Sequence, residues 1–258
     1  MMRFGLIGHG ISRSLSPSIH HQLFKARGVD ATYELIDVKS PEALSETLER
    51  CYRDGFEGLN VTTPYKKDVA RLIGNSDGAI NTLRRRSSGG WDATSTDGVG
   101  FESGLKRAGF LLTQFDRVVF LGAGGSVLSL LKYLHEHGVK PDISVLRRSD
   151  CHDEALRALG VTRFDQLTVE SLRNEVARAS SLTLMVQATS APHHGDDLAS
   201  LAEGVRGFKG FFCDLCYAPA SQLLATHRAS GGRGQDGLPM LEAQAGRSQD
   251  FWFEKITE

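Results

Sequence analysis

The sequence predicts an α/β protein built on mostly parallel sheets. Three observations predict it. Short apolar runs rich in β-branched and aromatic residues alternate with helical patterns, as in βαβ units. One such run, Arg117-Val118-Val119-Phe120-Leu121, is followed at once by Gly122-Ala123-Gly124-Gly125 and then a helical stretch. Another, Val61-Thr62-Thr63, is stopped by Pro64, which holds Thr63 extended and delivers Lys66 on a rigid turn. The carboxyl ends of strands are where open α/β sheets bind ligands.

The elements follow in order. Strands are predicted at 4–7, 33–38 and 58–62. A helix at 17–27 has Ser16 as its N-cap and Pro17 at its first position, and a helix at 41–54 has Ser40 as cap. Strands at 79–83 and 91–95 flank Ser87-Ser88-Gly89-Gly90, a hairpin turn. A second block begins near Gly98 with a helix to Ala108. Strand 117–121, a helix at 126–137 and strands at 143–146, 182–187 and 210–214 follow. The glycine-rich segment 229–237 reads as a mobile loop, and residues 240–255 as a closing helix.

Bulk properties narrow the function classes. Formal net charge is −1 over 258 residues, which argues against nucleic-acid binding driven by phosphate attraction. No apolar run is long enough to span a bilayer, and the N-terminus lacks a signal peptide's apolar segment. Four cysteines are too few for a disulfide framework, so a cytoplasmic, reducing location is the simplest expectation. Cys213-Asp214-Leu215-Cys216 lies in a buried-strand context and reads as two packed thiols. His20-His21 and His193-His194 lack partners at metal-ligand spacing, so no metal is expected.

The glycine turn suits a dinucleotide. Gly122 permits the tight turn, and Gly124 lets backbone approach a pyrophosphate at the helix N-terminus. The third small position falls on Val127. The next strand ends in Arg147-Arg148-Ser149, two guanidinium groups and a hydroxyl that suit a 2′-phosphate, which predicts NADP over NAD. Lys66 is either a solvated lysine opening a helix or a fixed amine. Ser14-Leu15-Ser16-Pro17 offers hydroxyls for a carboxylate. Asn81, Asp97 and Gln244 place two amides and a carboxylate in further motifs.

Together these motifs resemble the shikimate dehydrogenase family, in order, across nearly the whole chain. The matches are S-x-S-P at 14–17, N-V-T-x-P-x-K at 60–66, G-A-[IV]-N-T at 78–82, T-D-G at 96–98, G-A-G-G at 122–125, D-x-x-Y-x-P at 214–219 and G-x-x-M-L-x-x-Q at 237–244. The resemblance implies NADP-linked, reversible reduction of 3-dehydroshikimate to shikimate. It implies an N-terminal α/β substrate domain (1–100 and 238–258), a Rossmann-like NADP-binding domain (101–237) and an active site in the cleft between them. Lys66 and Asp97 would be the catalytic pair. Ser14 and Ser16 would hold the substrate carboxylate, and Thr62, Asn81, Tyr217 and Gln244 would complete the pocket. Gly122, Ala123, Gly124, Gly125, Arg147, Arg148, Ser149, Thr189, Gly237 and Met240 would bind the cofactor.

The chain departs from the family pattern mostly on the cofactor side. Val127 and Leu128 stand where small residues are usual, His152 where an arginine is common, and Gln187 where Asn precedes Ala-Thr. His21 and Ser95 replace asparagines. Alternatives are a quinate or aminoshikimate dehydrogenase, or a non-catalytic domain sensing such acids. A monomer or homodimer with small-molecule partners, and neither nucleic acid nor membrane, is expected.

Overall fold

The computed structural model describes residues 1–75, 80–150, 152–217 and 219–254, with backbone alone at His193 and His194. Gly78 and Ala79 of the fourth predicted strand and motif, and Lys255 of the closing helix, lie outside the described residues. The chain divides into two compact units: Met1–Gly100 with Leu241–Glu258, and Phe101–Met240.

The first unit holds β1 (Met2–Gly8), α1 (Ser16–Arg27), β2 (Ala31–Asp37), α2 (Leu44–Arg53), β3 (Phe56–Val61), α3 (Lys66–Leu72), β4 (Thr82–Arg85) and β5 (Trp91–Thr94). Their sheet runs β2-β1-β3-β4-β5. The first three strands are parallel, and β4 and β5 are antiparallel. Period-two alternation sorts β3 between two cores. Leu59 and Val61 pack with Leu44, Tyr65 and Val69 on one face. Gly58 and Asn60 point to the other face, toward Trp252 and Tyr33.

The second unit contains β6 (Arg117–Leu121), α5 (Gly125–Glu136), β7 (Asp142–Arg147), α6 (Asp153–Ala158), β8 (Arg163–Gln166), α7 (Val169–Ala177), β9 (Thr183–Gln187), β10 (Phe211–Asp214), α8 (Gln222–Ala229) and β11 (Arg233–Gln235). The sheet order is β11-β10-β9-β6-β7-β8, and every pairing is parallel. Counted from β6 this is 3-2-1-4-5-6, the doubly wound dinucleotide-binding order, whose switch point lies between β6 and β9. The chain passes between the units within α4 (Asp97–Arg107) and α9 (Leu238–Phe253).

Several local expectations are corrected. The 229–237 segment is no mobile loop, because β11 pairs with β10 inside it. Its glycines serve close packing. A Cβ at Gly234 would sit 2.5 Å from the Phe212 carbonyl oxygen, and one at Gly232 would strike the His227 ring at 2.0 Å. Ser16 does not cap α1; Leu15 occupies the cap in helical conformation, and the Ser14 hydroxyl receives the Ser16 N–H instead. Ser40 precedes a 3₁₀ turn, Pro41–Ala43, before α2 begins. The sequence reading missed α6, β8, α7 and α8; β8 has a half-exposed, polar edge pattern that hides it from periodicity.

Trp252 of α9 fixes that helix against the first sheet. Its ring stacks on Phe4 at 4.6 Å, and its indole N–H donates to the Leu83 carbonyl at 2.9 Å. A Cβ at Gly58 would lie 2.4 Å from Trp252 Nε1. Gly58→Ala is therefore expected to cost about 1–3 kcal/mol through overpacking, read as a lower urea midpoint; an unchanged midpoint would show that the ring has room to yield.

Candidate active site

The first unit builds a buried polar cluster at the carboxyl end of β3. Beyond Val61 the chain turns through Thr62, Thr63 and Pro64 and enters α3, with Tyr65 buried and its hydroxyl bonded to the Val38 carbonyl at 2.8 Å. That anchor leaves Lys66 in the first turn, only 8% exposed. A cation there is opposed by burial and by the positive end of the helix dipole, so it needs a counter-charge. Asp97 supplies it, with Lys66 Nζ 2.5 Å from Asp97 Oδ2. Asp97 opens α4, where the same dipole favours an anion.

The carboxylate is held on its other side as well. Asn81 Nδ2 donates to Asp97 Oδ1 at 2.7 Å and lies 3.1 Å from Thr96 Oγ1. Asn81 Oδ1 accepts from the Thr96 N–H at 2.9 Å and the Thr82 hydroxyl at 3.0 Å. Gln244 of α9 approaches the Asn81 amide at 3.4 Å. One turn on, buried Ser248 contacts Thr82 Oγ1 at 2.9 Å and receives Asn60 Nδ2 at 2.9 Å. Asn60 in turn accepts from the Tyr33 hydroxyl at 2.8 Å. Lys66, Asp97, Asn81 and Gln244 are thus brought together.

Tyr33, Asn60, Thr82 and Ser248 were given no role by sequence. Asn60 and Thr82 carried a signal as the first and last residues of two of the motifs, and Ser248 lies four residues after Gln244 on the same helix face. Ser14 and Ser16 follow the carboxyl end of β1, with Ser14 Oγ donating to Ser16 Oγ at 3.1 Å. Thr62 is half-buried, its methyl in the space that a Cβ at Gly8 would occupy. Tyr217 lies in the other unit, on the loop after β10.

In the second unit, Gly122 takes φ +109° beside the chain at Ala188 and Thr189, where a Cβ would meet Thr189 N at 3.0 Å. Only glycine suits both the angle and the contact. Gly124 caps α5, and a Cβ at Gly124 or Gly125 would meet nothing within 4 Å. Open space at a glycine-lined helix N-terminus fits a pyrophosphate. Val127 and Leu128 do not obstruct it, since both are buried in the core beneath. Gly237 packs on Leu215 and opens α9, and Met240 joins the buried core.

The two arginines differ. Arg147 forms a two-pronged, shielded ion pair with Asp153 and lies over the Phe164 ring at 4.9 Å. The hydrogen bonds it donates to Asp153 hold the guanidinium pKa above the ordinary value. Arg148 is exposed and forms an ion pair with the exposed Asp196 carboxylate at 2.9 Å. Arg148 is therefore the guanidinium that can turn to a phosphate; Arg147, expected beside it, is engaged structurally. Ser149 is exposed next to it. Cys213 and Cys216 are free, buried thiols pushed by burial to about 12. No group of three or more His, Cys, Asp or Glu among the described residues could hold a metal, and no described helix is long and apolar enough to cross a membrane.

A parallel sheet in dinucleotide-binding order, with a glycine turn at its first strand, and a buried lysine–carboxylate pair in a separate α/β unit define a nucleotide-linked oxidoreductase. Comparison with known proteins narrows the class. The family model for the shikimate dehydrogenase substrate binding domain matches residues 6–83. NADP(+) shikimate dehydrogenase of Hyphomonas neptunium is 33% identical over 258 residues, covering 96% of this chain and 90% of the relative. Its counterpart in Xanthomonas campestris pv. campestris is 35% identical over 264 residues, covering 97% and 90%. Among solved structures, Thermus thermophilus shikimate 5-dehydrogenase in complex with NADP(H) and shikimate superposes with a TM-score of 0.81 at 30% identity, covering 99% of this chain and 94% of that one. The chain belongs to the shikimate dehydrogenase family.

His20 supports the cluster from behind. It is 2% exposed and stacks on Tyr33 at 4.1 Å. Burial, aided by the neighbouring His21, pushes its pKa from 6.5 down to about 3. Because the folded value lies below the unfolded one, the neutral ring stabilises the fold above pH 6.5. That contribution is lost as pH falls from 6.5 toward 3, by up to about 1.4 kcal/mol per pH unit. His20→Phe is expected to flatten the pH dependence of unfolding free energy in this window; an unchanged slope would place the acid sensitivity elsewhere.

Proposed function

We propose that this chain is an NADP-dependent shikimate dehydrogenase that interconverts 3-dehydroshikimate and shikimate, within aromatic amino acid biosynthesis, in the cytoplasm. The observation that carries this reading is the Lys66–Asp97 pair, buried and tied to the Asn81 amide. When bound, NADPH supplies the hydride for the ketone carbon. Lys66 donates the proton that the ketone oxygen must gain, and its cation stabilises negative charge developing on that oxygen. In the oxidative direction the same amine takes the proton back.

Asp97 orients the amine through one oxygen while Asn81 fixes the other, so the pair stays aimed without reorganising. Ser14 and Ser16 receive the substrate carboxylate, and Thr62, Asn81, Tyr217 and Gln244 bind its remaining polar groups. The 1–100 and 238–258 segments serve the substrate, and 101–237 the dinucleotide. Gly122, Ala123, Gly124, Gly125 and the α5 N-terminus hold the pyrophosphate. Arg148 and Ser149 take the 2′-phosphate, while Thr189, Gly237 and Met240 lie on the nicotinamide side.

Lys66→Ala is expected to lower kcat for shikimate oxidation by about 10²- to 10⁴-fold, the usual share of a general acid–base group. NADP binding followed by fluorescence should be unchanged. Near-normal turnover would remove Lys66 from the mechanism, and quinate outpacing shikimate in a substrate panel would reassign the substrate.

Arg148→Ala is expected to reduce the NADP/NAD ratio of kcat/KM by about 10-fold or more, as loss of charge-assisted bonds implies. Arg147→Ala should instead lower thermal stability and leave that ratio unaltered. A ratio insensitive to Arg148 would move 2′-phosphate recognition elsewhere.

A further inference from the structure

Gln187 ends β9 fully buried, and its side chain reaches two loops at once. Its Oε1 accepts the Thr189 N–H at 2.5 Å, and its Nε2 approaches the Thr189 carbonyl at 3.4 Å. The same Nε2 donates to Asp214 Oδ1, at 3.2 Å, across the neighbouring strand end. Asp214, also fully buried, accepts from the Cys216 N–H at 2.9 Å on Oδ1 and from the Ser221 N–H at 2.6 Å on Oδ2. Its carboxylate thereby closes the loop that carries Tyr217. Cys216 Sγ adds a contact to the Thr189 carbonyl at 3.5 Å.

The Thr189 segment is in turn seated on the Gly122 turn, where a Cβ would find Thr189 N at 3.0 Å. The last sheet bonds, from the Ala188 N–H to the Leu121 carbonyl and from the Leu215 N–H to the Gln187 carbonyl, both at 2.8 Å, end where the loops begin, and the Thr189, Cys216 and Ser221 N–H groups just beyond them are satisfied by one amide and one carboxylate. Thr189 Oγ1 is left buried with no partner among the described residues.

We propose that Gln187 and Asp214 form a buried clasp that locks the Thr189 segment and the Tyr217 loop in one register, making Gln187 a positioning residue for cofactor and substrate together. The inference rests on the function proposed above, which puts Thr189 on the nicotinamide side and Tyr217 on the substrate. An asparagine at 187, one methylene shorter, reaches less far toward Asp214, so this wiring belongs to the glutamine of this chain.

Gln187→Met keeps side-chain length and removes the hydrogen bonds. In that variant, amide hydrogen exchange should quicken in 188–190 and 215–222 together. NADP binding by calorimetry should weaken, and kcat/KM should fall by about 10- to 100-fold, the size expected for a buried bond to a charged group, chiefly through KM for both ligands. Gln187→Glu sets a second carboxyl against Asp214, and the two must share a proton. Its activity should recover as pH falls, a limb the parent enzyme lacks. Cys213 and Cys216, pushed to about 12, stay uncharged in that range.

The clasp is overturned if Gln187→Met binds NADP and shikimate like the parent, if exchange quickens in one loop alone, or if Gln187→Glu shows the parental pH profile. Should Gln187→Met fail to fold, the reversible pH profile of Gln187→Glu decides. A parent chain unable to oxidise shikimate would instead sink the proposed function, while the exchange measurement would still report on the clasp.

Discussion

The burial of Lys66 against Asp97 is the constraint on which the first unit depends. Removing an ammonium and a carboxylate from water costs several kcal/mol per ion, and their attraction offsets this only when remaining hydrogen-bonding positions are filled. Asn81 fills one for Asp97. Asn81 must itself be satisfied, which draws in Thr82 and Thr96. Those hydroxyls lead to Ser248 and Asn60, and Asn60 to Tyr33. One buried ion pair thereby recruits β2, β3, β4, the start of α4 and the final helix.

The second unit rests on a different constraint. Its parallel sheet reverses strand order between β6 and β9, and the divergence of connections there leaves room at the carboxyl strand ends. Gly122 exploits that room by bringing the β6 turn against Thr189. Side-chain wiring then takes over from the sheet just past its last backbone bonds, which the Ala188 and Leu215 N–H groups make. Gln187 and Asp214 supply it. Burial pushes the Asp214 carboxyl up against the pull of its donors, which marks how far that charge is removed from water.

Sequence reading succeeded where a local rule acts alone. Strand 117–121 was bounded by continuous apolarity and the glycines after it, and β6 has those bounds. It failed where meaning depends on a distant neighbour. Gly232 and Gly234 suggested freedom because composition cannot show the His227 ring or the Phe212 carbonyl pressed against them. Arg147 and Arg148 looked alike because nothing in a dipeptide reveals that Asp153 encloses one and leaves the other exposed.

The candidate site divides the same way. Lys66, Asp97, Asn81 and Gln244 were legible because each lies in a short motif whose order along the chain is itself informative. The sequence by itself determined the α/β class, the glycine turn and the residue types available for proton transfer, since these follow from period, turn chemistry and side-chain functional groups. Tertiary structure decided that Lys66 is buried, that Asp97 is its partner 2.5 Å away, and that Ser248, Asn60 and Gln187 hold the wiring. Burial and pairing across tens to nearly two hundred residues arise only when the sheets close, because they are properties of proximity and not of order along the chain.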